Sequence, residues 1–301
     1  MDSPESLVFF GSGPVAAASL RLLAREFPIE TVITKPAAVH HKGTVPVIDT
    51  AHDLKIPVLT VANKRELDAL FNTKPTTCRL GVLIDFGIIV SQQVIDYFPL
   101  GIINSHFSIL PEWRGADPIS FAVLSGQAQT GVSLMQLVAA MDEGPLLAYG
   151  VYDLPPDITT PQLTEHLIHF SHALLQRTIP KYLQDGKSGE PQSVTKRQVS
   201  YSRKLTKADG VLDFHKPAAI SEREVRAFLG WPRSRTTING IDVVVTRAHV
   251  TTGAGQPGTV WQTSKEIGLH TSDGILVIDT LIPAGKREMS GQAFLSGYLK
   301  N

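Results

Sequence analysis

Short, uniformly apolar runs alternate with amphipathic stretches through the front of the chain. Leu7-Val8-Phe9-Phe10, Thr31-Val32-Ile33-Thr34, Pro57-Val58-Leu59-Thr60-Val61, Leu80-Gly81-Val82-Leu83-Ile84 and Gly101-Ile102-Ile103-Asn104 have strand length and little polar alternation, the pattern of strands buried on both faces. Between the first two, an Ala/Leu-rich stretch over about residues 15–26 puts Ala18, Leu22 and Leu23 on one helical face, and a second helical segment covers about 64–71. Strands alternating with helices at this spacing predict a Rossmann-like, mostly parallel sheet covered by helices. Thr130–Gln136 reads as a further strand, and 161–183 as a long helix carrying Leu163, Leu167, Phe170, Leu174 and Leu175.

Near Asp185 the pattern breaks. Gly186-Lys187-Ser188-Gly189-Glu190-Pro191 has linker composition, and the chain stays polar and basic to Lys207. A short helix follows at about 221–229, then short strands at 241–245, 258–261, 268–270 and 274–278, punctuated by Asn-Gly, Pro-Gly and Asp-Gly. This predicts a small OB-like β-barrel. The expected organisation is an α/β catalytic domain over 1–186, a basic linker over 187–206 and a β-barrel domain over 207–301, with no internal repeat or low-complexity tract.

Charge changes this picture more than length does. The 301 residues balance 28 Lys+Arg against 28 Asp+Glu, but residues 187–301 hold 16 of the former and 10 of the latter, a local excess of +6 that leaves −6 in front. A basic rear half suits a polyanionic partner. The single cysteine, Cys78, excludes a disulfide framework within the chain and reads as a buried structural thiol. Neither a basic-then-apolar leader nor a run of about 20 apolar residues is present. A soluble, cytoplasmic monomer that does not contact membranes is therefore expected.

Three places could carry chemistry. Gly11-Ser12-Gly13 begins like a dinucleotide fingerprint, but position 16 is alanine and the next strand ends Thr34-Lys35-Pro36 without an acidic residue. As a nicotinamide-binding signal it is weak, and a tight turn before a first helix accounts for it better. Asn104 and His106 lie two apart at a strand end and so point to one side. An amide donor beside an imidazole that titrates near neutrality suits attack on a carbonyl. Asp142, in the loop Met141-Asp142-Glu143-Gly144-Pro145, could orient that histidine, although a lone aspartate in such a loop is also an ordinary turn residue. The His40-His41 pair lacks ligand geometry by itself, and no metal is expected.

The run Asn104-Ser105-His106-Phe107-Ser108-Ile109-Leu110-Pro111-Glu112-Trp113-Arg114-Gly115, followed by Thr130-Gly131-Val132-Ser133-Leu134-Met135-Gln136 and the Asp142 loop, strongly resembles the folate-dependent formyltransferase family. The resemblance gives Asn104, His106 and Asp142 catalytic roles and makes 10-formyltetrahydrofolate the co-substrate. It places Ser108, Ile109, Leu110 and Pro111 in the folate-contacting loop. The main chain of Phe86, Gly87 and Ile88 would line the pterin pocket.

In the rear half, the stretches 204–214, 226–232 and 283–295 resemble the branch of the family that acts on methionyl-tRNA, so the match extends over nearly the whole chain. The implied partner is methionyl-initiator tRNA, met through Lys42, Arg114, Lys196, Arg197, Arg203, Lys204, Lys207, Lys286 and Arg287. Departures exist. The loop near 35–46 is shorter than in that branch and lacks its arginine, while Phe86, Phe107 and Asp117 replace a common tyrosine, glycine and small residue. The competing acceptor is a nucleotide-linked amino sugar. From other classes come a non-catalytic RNA-binding protein on the same fold and a nicotinamide oxidoreductase resting on Gly11-Ser12-Gly13 alone.

Overall fold

The computed structural model describes residues 5–37, 45–186 and 188–298. Its elements run β1 (Leu7–Phe10), α1 (Pro14–Leu23), β2 (Ile29–Thr34), α2 (Pro46–Asp53), β3 (Val58–Thr60), α3 (Lys64–Asn72), β4 (Gly81–Leu83), α4 (Gln92–Tyr97), β5 (Ile102–His106), β6 (Arg114–Gly115) and α5 (Pro118–Ser125). They continue with β7 (Gln129–Gln136), β8 (Leu146–Asp153), α6 (Thr160–Asp185), β9 (Tyr201–Ser202), α7 (Ala218–Ala227), β10 (Ser234–Ile238), β11 (Ile241–Thr251), β12 (Val260–Gln262), β13 (Ile267–His270), β14 (Ile275–Pro283), β15 (Met289–Ser290) and α8 (Gly291–Tyr298). Two compact units form: Met1–Gly115 with Thr130–Asp153 and Thr164–Tyr201, and Ala116–Gln129 with Leu154–Leu163 and Ser202–Asn301.

The first unit is built on a seven-stranded sheet in the order β3-β2-β1-β4-β5-β7-β8. Its β3/β2, β2/β1, β1/β4 and β4/β5 pairs are parallel, and β5/β7 is antiparallel, which meets the expectation of a mostly parallel sheet. The order places a topological switch between β1 and β4, where crevices for ligands open at the carboxyl ends of strands. β5 runs to His106, two residues beyond its apolar run, because Ser105 and His106 find ladder partners in Leu134 and Ser133 of β7. β8 escaped the sequence pattern, since Gly150 interrupts it. A Cβ there would stand 2.6 Å from the Phe170 ring of α6, so close packing selects glycine.

Phe10 centres the packing on one face of this sheet. Its ring meets Phe86 and Phe98 edge-on, with centroids 5.5 and 5.9 Å away, and lies 6.2 Å from Phe71. Val8, Ile33, Leu67, Val94 and Ile102 complete the cluster. Cys78 belongs to it too, as a thiol donating to Glu30 Oε2 at 3.0 Å. Burial pushes that thiol up to about 11, so it stays protonated and structural.

The second unit carries an antiparallel sheet, β10-β11-β14-β13-β12, with β15 on β14. Register irregularities between Val245 and Ala248 interrupt the ladder of the long β11, the device that lets a strand bend as a barrel-like sheet requires. Val225 of α7 and Phe294 of α8 fill the inner face with Val243, Val245, Leu276 and Leu281. The apolar pattern found the central strands but not α8, whose two glycines, Gly291 and Gly297, mask a helix held by Phe294 and Leu295.

Phe10→Ala should cost about 3–5 kcal/mol, the range for a buried phenylalanine truncated to alanine. Denaturant titration would show this as a lowered midpoint, and a loss under about 1 kcal/mol would remove Phe10 from the centre of the core.

Candidate active site

Strand pairing aims the site. Leu83 of β4 and Met135 of β7 flank Asn104 in register, and Ser133 faces His106. Asn104 and His106 project to one side, each only 7% exposed. The intervening Ser105 turns the other way and shares a 2.7 Å hydrogen bond with Ser171 of α6. The imidazole Nε2 lies 2.9 Å from the Trp113 carbonyl. A carbonyl only accepts, so Nε2 carries the proton and Nδ1 is left facing the site.

Asp142 arrives from the loop between β7 and β8. Its Oδ1 stands 3.4 Å from Asn104 Nδ2 and 3.8 Å from His106 Nδ1. Its Oδ2 accepts the Gly115 N–H at 2.7 Å. A left-handed backbone at Asp142 (φ 53°) makes this approach possible. So does Gly144, where a Cβ would fall 1.8 Å from the Gln136 carbonyl oxygen. One carboxylate oxygen is thus fixed by main chain, and the other converges with an amide and an imidazole. Such a cluster can accept a proton from an amine and donate hydrogen bonds to a carbonyl oxygen becoming negative.

The loop 108–113 beside it is anchored rather than open. Ser108, Ile109, Leu110 and Pro111 are all buried. Ser108 Oγ donates to the Glu112 carbonyl, Ser133 Oγ to the Ser108 carbonyl, and Leu110 N–H to Ser133 Oγ. Their side chains therefore support the loop from within. Residues 190–201, polar enough to suggest a linker, lie along these loops. Glu190 and Leu146 bridge through two main-chain bonds of 2.7 Å, Thr195 Oγ1 donates to the Leu110 carbonyl, and Ser200 Oγ accepts the Trp113 N–H. Gln192, which no sequence signal marks, donates to the Asp142 and Gly144 carbonyls at 2.7 and 3.0 Å.

The glycine turn after β1 has its own occupant. A Cβ on Gly13 would stand 2.1 Å from Asp85 Oδ2, so the Asp85 carboxylate already fills the place beside the first turn of α1. A phosphate would bind at such a helix start, and the carboxylate excludes one by both volume and charge. The turn is a structural device here, and the nicotinamide reading loses its one support. The chain then passes Phe86, whose ring is in the core and whose carbonyl accepts from Ser12 Oγ at 2.8 Å. Gly87 (φ 63°) turns it outward to a partly buried Ile88 and to Ile89, 71% exposed. Since β4 lies beside β5, this loop emerges next to Asn104. Exposed apolar groups there and at Met141, 66% exposed, suit a flat aromatic ligand, and apolar periodicity gave no sign of them.

The expected phosphate contacts fare unequally. Arg114 is 12% exposed in its side chain and is engaged by Glu143 at 3.0 Å and Gln192 at 2.7 Å. Arg197 lies 3.7 Å from Glu112, while Lys196 is exposed. In the second unit, Arg203 pairs through both nitrogens with Asp209, and the guanidinium holds that carboxyl well below its usual range. Lys204, Lys207, Lys286 and Arg287 are exposed. Lys42 and the His40-His41 pair lie outside the described residues.

The formyl transferase family model matches residues 16–179 and the model of the family's C-terminal domain matches 204–299: the chain belongs to this family. Among its relatives, the methionyl-tRNA formyltransferase of Roseiflexus castenholzii is 34% identical over 94% of this chain and 93% of its own. That of Pseudomonas entomophila is 34% identical over 93% and 92%. A solved N-formyltransferase from Helicobacter canadensis, in complex with folinic acid and dTDP-3-aminofucose, shares the fold at TM-score 0.68 with 16% identity, over 95% of this chain and all of that one.

Glu112 on the site loop offers a pH test. Burial raises its carboxyl above the ordinary range, opposed by Arg197. A raised folded-state value means stability present below the unfolded pKa, about 4.3, and lost as pH rises through the folded value. Glu112→Gln should therefore raise the thermal midpoint relative to wild type at about pH 7 and bring no gain at about pH 4. An equal change at both would contradict the burial argument.

Proposed function

We propose that this protein transfers the formyl group of 10-formyltetrahydrofolate to the α-amino group of methionyl-initiator tRNA. One observation carries the chemistry: Asp142 Oδ1 converges with Asn104 Nδ2 and His106 Nδ1 at 3.4 and 3.8 Å while Gly115 holds the other carboxylate oxygen. The identity of about a third with methionyl-tRNA formyltransferases, running through the basic rear of the chain as well as its front, supports the acceptor.

In this reaction the neutral amine attacks the formyl carbon, and the carbonyl electron pair moves to oxygen. The second N–H of the Asn104 amide donates to that oxyanion, and His106 adds a second donor when Nδ1 as well as Nε2 carries a proton. Asp142 takes the proton released by the attacking nitrogen, through Oδ1. The oxyanion electron pair then re-forms the carbonyl, the bond from carbon to the folate nitrogen breaks, that nitrogen takes up the proton Asp142 received, and tetrahydrofolate leaves. The amine is itself a competent nucleophile, so neither a covalent enzyme intermediate nor a metal enters the sequence. The loops 86–88 and 108–111 hold the folate, chiefly through main-chain groups and the apolar residues that flank them.

No described helix is long and apolar enough to cross a membrane, and the assigned setting is a cytoplasmic monomer serving translation initiation. A nucleotide-linked amino sugar is the competing acceptor. It has the support of shared fold alone, at 16% identity. Incubation with the formyl donor and each acceptor separately tests the choice, and formylation of the sugar with none of methionyl-tRNA would reverse it.

Asp142→Ala should lower kcat by roughly two orders of magnitude or more with folate affinity nearly unchanged, and unaltered turnover would remove Asp142 from the mechanism. Lys204→Ala with Lys207→Ala should raise KM for the tRNA and leave KM for folate alone. For every lysine that neutralises a phosphate, its removal should also flatten the slope of log affinity against log salt by about 0.7–0.9. An unchanged slope would place the tRNA elsewhere.

A further inference from the structure

We infer that Gln192 is a positioning residue for the transfer step, acting by holding the turn that presents Asp142. The inference rests on the catalytic reading of Asp142 and goes beyond it, because Gln192 touches none of the reacting groups.

Gln192 is 7% exposed and lies on the polar segment before the second unit. Its Nε2 spends both hydrogens on one turn, donating to the Asp142 carbonyl at 2.7 Å and the Gly144 carbonyl at 3.0 Å. Its Oε1 accepts from Arg114 Nη2 at 2.7 Å and Nε at 3.3 Å. That orientation of the amide is forced. Turned over, it would set an acceptor against two carbonyls and donors against a guanidinium. Arg114 in turn reaches Glu143 Oε1 at 3.0 Å. One side chain therefore closes a ring around residues 142–144, and the next residue along from Arg114, Gly115, donates to the Asp142 carboxylate itself.

This clamp answers a specific need. Asp142 sits in a left-handed conformation, and its carboxylate meets Asn104 at the outer limit of hydrogen-bond reach, with His106 Nδ1 just beyond it. The turn carbonyls at 142 and 144 would otherwise be nearly buried acceptors without donors, which the loop could satisfy only by moving. Movement by about 1 Å at a reacting group can cost about 100-fold in rate. Arg114 belongs to the same device, so its role lies in holding the loop before any contact with phosphate.

Two variants and two readouts test the assignment in the intact chain. Gln192→Leu keeps the volume and deletes every hydrogen bond. Gln192→Glu keeps the shape and the partner for Arg114 but, when ionised, replaces both donors by an acceptor facing two carbonyls. Both should lower kcat by roughly 10- to 100-fold with KM for folate little changed. In an Asp142→Asn background Gln192→Leu should cost nothing further, because residues acting through one group are not additive. Without any substrate, hydrogen exchange of the Gly115 amide should speed up about tenfold or more in Gln192→Leu, as expected when a local opening becomes easier, while the Val132 amide in β7 stays protected. Unchanged Gly115 exchange, additive losses in the double variant, or a lower melting temperature with unchanged kcat would each overturn the inference. Wild-type protein that formylates no methionyl-tRNA would instead overturn the acceptor reading and leave Gly115 exchange to decide on Gln192.

Discussion

The site depends on the cost of keeping a carboxylate out of water. Asp142 has a side chain 13% exposed, and an ionised acid at that depth persists only where donors replace its hydration. The Gly115 amide meets that need on one oxygen and the Asn104 amide on the other. The left-handed turn at 142, the glycine at 144 pressed against the end of β7, and the Gln192 amide spanning both turn carbonyls follow from the same constraint. Each lets the carboxylate come close without leaving another polar group unpaired.

The same accounting explains the first glycine turn. Parallel sheets of this order open a crevice beside β1, and helix starts there attract anions. The chain supplies its own anion, Asp85, which occupies the space a side chain at Gly13 would need. The polar side chains Asn104 and His106 emerge further along the sheet, at the end of β5.

Over residues 187–301, net positive charge overstates what is available to a partner. Arg203, Lys216, Arg226 and Arg247 are each committed to an acidic neighbour. The lysines at 204, 207 and 286 with Arg287 stand at the surface, where a polyanion could meet them. Charge counts along a sequence register a partner's sign. Pairing in three dimensions selects the residues that meet it.

Apolar runs and their spacing determined the alternating front half, the long helix α6 and the central strands of the second unit, because burial on both faces of a parallel sheet leaves a local and periodic trace. The order of Asn104, His106 and Asp142 was legible as well, since a strand fixes 104 and 106 on one side. Elements held by neighbours rather than by pattern were not: β8 with its Gly150 under Phe170, α8 around Phe294, and the extension of β5 to His106. Nor could the sequence distinguish Arg114 from a surface cation, or the polar stretch at 190–201 from a linker. Only the tertiary structure brought Gln192 to the Asp142 turn and Asp85 to Gly13. A hydrogen bond between residues 50 apart leaves no mark in either one's local sequence, whereas burial leaves one at every second or fourth position.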